Sequence, residues 1–70
     1  MRKIKVIGVT KIMADKLNER LGGQRTRHEG LYDVTLFDVY VNAGTSRVFI
    51  SNANDNEIDL YHDEYLRIEI

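Results

Sequence analysis

Over most of this chain apolar residues recur with a period of two, and over one short stretch they recur at helical spacing. In Lys3-Ile4-Lys5-Val6-Ile7-Gly8-Val9 the alternation of lysine with β-branched residues predicts a strand, with Ile4 and Val6 on one face and Lys3 and Lys5 on the other. Met13, Leu17 and Leu21 then recur every four residues with Ala14 alongside, which predicts a helix over Lys11 to Leu21 with an apolar stripe. Thr10 is placed to cap its start, and Gly22-Gly23 supply a left-handed stop. Residues 22 to 30, Gly-Gly-Gln-Arg-Thr-Arg-His-Glu-Gly, lack any apolar period and read as an exposed basic loop. Four further runs rich in Val, Ile, Leu, Phe or Tyr predict strands: Leu31 to Val41, Arg47 to Ser51, Glu57 to His62 and Tyr65 to Ile70. The joints Asn42-Ala43-Gly44-Thr45-Ser46 and Asn52-Ala53-Asn54-Asp55-Asn56 have the composition of hairpin turns.

This order, β-α-β-β-β-β, predicts an α+β fold with one helix packed on a twisted antiparallel sheet. A five-stranded meander of this size tends to curl into a small barrel or half-barrel. Seventy residues fit one domain with a modest core. The chain has no cysteine and only two histidines, His28 and His62, so neither disulfides nor a zinc site is expected to staple it. Stability has to come from packing or from oligomerisation. The missing cysteine fits a reducing cytoplasm, the apolar run at the start is too short for a signal peptide, and no stretch is long enough to cross a bilayer. The expectation is a cytoplasmic protein with no membrane partner.

Some of these features recur in a known architecture: the opening Lys3-Ile4-Lys5-Val6-Ile7, the long Tyr32-to-Val41 strand, hairpin turns at Gly44 and Asn54, and the closing Tyr61-His62-Asp63-Glu64-Tyr65-Leu66-Arg67-Ile68. From Leu31 onward the chain resembles the small SH3-like barrels found in short proteins of bacteriophages and other mobile elements of bacteria. The resemblance implies a barrel whose last strand follows a short helical turn, and a phage-encoded protein at work in a host cytoplasm. Lys11 to Leu21 departs from it, because such barrels place a loop there. Gly30-Leu31-Tyr32-Asp33-Val34 is also similar to the Ala-Leu-Tyr-Asp-Tyr opening of eukaryotic signalling SH3 domains, but without tryptophan the groove that binds Pro-rich peptides lacks its main wall.

The search for chemistry comes back empty. Neither histidine has a neighbour diagnostic of catalysis: His28 sits in the polar loop, and His62 precedes Asp63-Glu64 at a strand end. Asn52-Ala53-Asn54-Asp55-Asn56-Glu57 offers oxygens at alternate positions, yet glutamate stands where an EF-hand needs glycine, and strands flank it instead of helices. Gly22-Gly23 follow a helix, whereas a phosphate loop needs glycines ahead of one. No catalytic residue, metal site or cofactor is therefore expected.

Charge is the remaining signal. Residues 1 to 29 hold eight Lys/Arg against three Asp/Glu (+5), and residues 30 to 70 hold two against eight (−6). The expected function is that of a small non-catalytic binding protein that inhibits or modulates a host or viral protein. Its contact residues are expected among Tyr40, Asp55, Glu57, Asp59, Tyr61, Asp63 and Glu64, where carboxylates along one sheet face can engage a basic groove and tyrosines can anchor the contact. Two other readings stay open. Lys16, Arg20, Arg25 and Arg27 could form a continuous basic surface for nucleic acid, although no aromatic is interleaved for base stacking. Opposite charges could also meet between copies in a homo-oligomer, as in a virion or assembly component.

Overall fold

The computed structural model describes residues 2–70. Strand β1 (Arg2–Val9) leads into helix α1 (Lys11–Leu21), and strands β2 (Gln24–His28), β3 (Leu31–Ala43), β4 (Arg47–Asn52), β5 (Glu57–Tyr61) and β6 (Arg67–Glu69) follow. A short 3-10 turn, His62–Glu64, precedes the last strand. The sheet is antiparallel throughout, in the order β5-β4-β3-β1-β6, with β2 also paired to β3. The α+β expectation is met at that level.

The helix forms where its pattern places it. Thr10 Oγ1 accepts the Met13 N–H at 3.3 Å, and Gly22, at φ 69°, ends the helix by donating its N–H to the Asn18 carbonyl. Met13, Ala14, Leu17 and Leu21 are buried against the sheet, where they meet Ile4, Val6 and Val9 of β1, Val34, Leu36 and Val39 of β3, Val48 and Ile50 of β4, and Ile58 and Leu60 of β5. These residues form one continuous core. Fully burying a side chain of this size is worth about 1.5–3 kcal/mol, so this one face supplies the main driving force for folding.

Strand β3 organises everything else. One of its edges pairs with β1 along most of its length, and the other is shared by β2, opposite residues 31–35, and β4, opposite residues 39–43. Between those two segments the register slips: Arg2 faces Val39 but Ile4 faces Leu36, so β3 carries one extra residue. Asp38 absorbs it at φ 55°, and this β-bulge lets the sheet bend. A second slip lies at Gly8 of β1, between the Ile7–Asp33 and Val9–Tyr32 pairs. Gly8 donates its N–H to Asp33 Oδ1 at 3.3 Å and is overlaid by the Leu66 side chain.

Five expectations are corrected. Residues 22 to 30 are not a loop, because Gln24–His28 form β2, a strand with every residue exposed. With no face to bury, it shows no apolar alternation. Its hairpin to β3 closes on Glu29 and Gly30, at φ 51° and 86°. Positive φ at both positions is the signature of a type I′ turn, which suits glycine. Among the described residues the sheet accordingly has six strands instead of five, and it does not close into a barrel: β5 pairs only with β4 and β6 only with β1. Nor is it a simple meander, since β1 lies between β3 and β6. The last two strands are shorter than expected, with β5 ending at Tyr61 and β6 confined to Arg67–Glu69, because His62–Glu64 turn the chain between them.

Candidate functional site

The hairpin β4–β5 determines which side chains share a surface. It is centred on Asn54, so residues equidistant from that tip face each other: Ser51 with Glu57, Phe49 with Asp59, Arg47 with Tyr61. Directly opposed residues and residues two apart lie on one face. Val48, Ile50, Ile58 and Leu60 take the core face, which leaves Arg47, Phe49, Ser51, Glu57, Asp59 and Tyr61 on the outer one. Tyr40 joins them from β3 by pairing with Ser51.

The outer face is a connected group of side chains. The Arg47 guanidinium lies 5.0 Å from the Phe49 ring centroid and 5.8 Å from that of Tyr61, and it reaches Asp59 at 3.4 Å. A cation held over two rings and beside a carboxylate is confined to few rotamers. Tyr40 and Tyr61 each leave about half their surface exposed, at 51% and 50%. Arginine and aromatic residues held rigid in a solvent-facing patch match the residue preferences of protein interfaces, and little side-chain entropy remains to be lost on binding.

Of the residues expected at the contact surface, Tyr40, Glu57, Asp59 and Tyr61 come together here. Asp55 sits at the hairpin tip, at φ 63°. Asp63 and Glu64 lie at the other end of β5 in the 3-10 turn, beside a cleft of about 370 Å³ that is also lined by Met13, Leu31 and Leu66. Glu64 there is structural: its Oε1 accepts the Tyr61 N–H at 2.8 Å. Arg47 and Phe49, the centre of the patch, were not among the expected residues. Their signal was present in the sequence as the alternation Arg47-Val48-Phe49-Ile50 and the symmetry of the hairpin about Asn54.

The basic residues are divided. Arg25 stacks on Tyr32 at 5.6 Å and is ion-paired to Asp15, which also holds Lys11 at 3.1 Å. At 3.6 residues per turn, Glu19 sits next to Asp15, whereas Lys16 and Arg20 project roughly 100° and 140° round the helix from it. The acidic ridge Asp15–Glu19 thus separates Lys16 and Arg20 from the β2 side that carries Arg25. Arg27 lies opposite Tyr32 on β2. The four do not form one continuous basic surface.

His62 meets Tyr65 edge-on at 6.2 Å, and His28 ends β2 opposite Leu31. Among the described residues no three His, Cys, Asp or Glu side chains converge as metal ligands would, and no helix is long and apolar enough to cross a membrane. The chain matches no protein-family model, no curated protein and no solved structure.

Proposed function

We propose that this chain is a non-catalytic protein-binding domain that docks its partner on the outer face of β4–β5. The observation that carries this reading is the Arg47–Phe49–Tyr61–Asp59 cluster, in which Asp59 and Tyr61 are exposed and Arg47 and Phe49 half-buried, on a strand pair whose other face is the core. Strands fix side chains more firmly than loops do, and a rigid anchor patch is where binding energy concentrates. The sheet is not a barrel, so a host or viral protein as the partner, which binding inhibits or redirects, rests on the sequence pattern of the opening strand, the long central strand and the hairpin turns alone.

The test is affinity capture from a bacterial cytoplasm with wild-type chain, the double variant R47A/Y61A and the surface control I12A. A protein retained by wild type and I12A but lost with R47A/Y61A is the expected result. Retention by all three rules out the outer face. Nucleic acid recovered instead, with an affinity that falls steeply as salt rises, favours the basic residues Lys16, Arg20, Arg25 and Arg27 and replaces this reading.

A further inference from the structure

Among the described residues three strands of this sheet, β2, β5 and β6, leave one edge unpaired, and for β2 and β5 the ladder hydrogen bonds show which backbone groups that edge offers. In an antiparallel pair, opposed residues alternate between exchanging both backbone bonds and exchanging none, and those of the second kind turn their N–H and C=O away from the partner strand. In β4–β5 the bonded pairs are identified by two contacts, Asn52 N–H to the Asn56 carbonyl and His62 N–H to the Ser46 carbonyl. Ile58 and Leu60 are therefore bonded to β4, while Glu57, Asp59 and Tyr61 point their backbone groups outward. The Tyr61 N–H confirms this phase, because Glu64 takes it from that side. Glu57 and Asp59 form the open stretch.

The same reasoning applies to β2. A two-residue I′ turn closes on a bonded pair, here His28 and Leu31, so Gln24 and Thr26 are also bonded to β3. Arg25 and Arg27 then turn their backbone groups outward along a strand exposed at every residue. One edge thus presents two arginines and the other two carboxylates, at the same spacing. An unpaired edge of this kind is a template for another strand.

We propose that the β2 edge of one copy adds to the β5 edge of another, antiparallel, with Arg27 opposite Glu57 and Arg25 opposite Asp59. This register makes about four backbone hydrogen bonds and places each guanidinium beside a carboxylate on one face. Pairing β5 with β5 in the antiparallel sense opposes Asp59 to Asp59, and pairing β2 with β2 opposes arginines, so like edges repel. Opposed residues share a face, so the helix side of one copy continues the outer side of the next, and helices alternate from face to face along the joined sheet. The contact is heterologous and repeats, so association grows past the dimer with concentration unless a ring closes. This inference does not depend on the docking of another protein.

Arg27 and Glu57 are the residues to exchange, since neither makes an ion pair within the molecule among the described residues. The experiment is sedimentation of wild type, R27E, E57K and an equimolar mixture of the two variants, from micromolar to millimolar at low salt, with circular dichroism confirming that each is folded. Wild type is expected to associate. Each variant alone is expected to need at least about tenfold more protein to do so, and the mixture to recover wild-type association because the swapped charges meet again. A wild type that stays monomeric at millimolar concentration overturns the proposal. So does association that R27E and E57K leave unchanged, or a mixture that behaves as the separate variants do.

Discussion

Strands β2 and β4 lie along the same edge of β3, on either side of the Asp38 bulge, yet they are built on opposite principles. β4, with β5 beyond it, alternates strictly: Val48, Ile50, Ile58 and Leu60 enter the core while Arg47, Phe49, Asp59 and Tyr61 face outward. β2 buries nothing and is held by its ladder to β3, its I′ turn and the Arg25 contacts to Asp15 and Tyr32. A strand anchored through its inner face can present a precise outer face. One held mainly by backbone bonds at an edge opens at little cost, because local opening there exposes no core.

The largest expected difference between the two regions is in stability. Leu60→Ala should cost about 2–5 kcal/mol in urea unfolding, because it empties space in the shared core, whereas Thr26→Ala on β2 should stay within about 0.5 kcal/mol. If the two cost the same, the contrast fails. Gly30→Ala comes next: at φ 86° an added Cβ should cost about 1–2 kcal/mol and loosen β2 before the rest of the sheet, as read by amide exchange at Gln24, Thr26 and His28. Arg47→Ala should then change stability by under about 1 kcal/mol, since its ion pair is exposed, while abolishing partner capture. An equal loss of stability and binding would make Arg47 a structural residue. Smallest is Glu29→Asn, which puts a residue tolerant of positive φ into the I′ turn and should raise stability by a few tenths of a kcal/mol.

The same contrast explains what the sequence made legible. Helix α1 was readable to its end residues because capping and an apolar stripe agree there: Thr10 and Gly22 mark the ends, and Met13, Leu17 and Leu21 mark the buried face. β4 and β5 were readable for a similar reason, their alternation recording one buried side. β2 left no trace, since Gln24-Arg25-Thr26-Arg27-His28 would look the same in a solvated loop, and the evidence for its pairing lies in Glu29-Gly30 and in the edge of β3. The bulge was hidden by Phe37, an apolar residue that continues the run from Leu36 although the buried set shifts from Val34 and Leu36 to Val39. Of the site, the acidic and tyrosine half was visible as composition. Its arginine and phenylalanine centre required the register about Asn54.

The most direct test of the binding face is hydrogen exchange of the chain with and without the partner it captures. Slowed exchange across residues 47–51 and 57–61, with residues 24–28 unchanged, is the predicted footprint. Protection confined to residues 24–28 and the exposed side of α1, with β4–β5 unchanged, would contradict it and move the docking surface to the β2 side of the molecule.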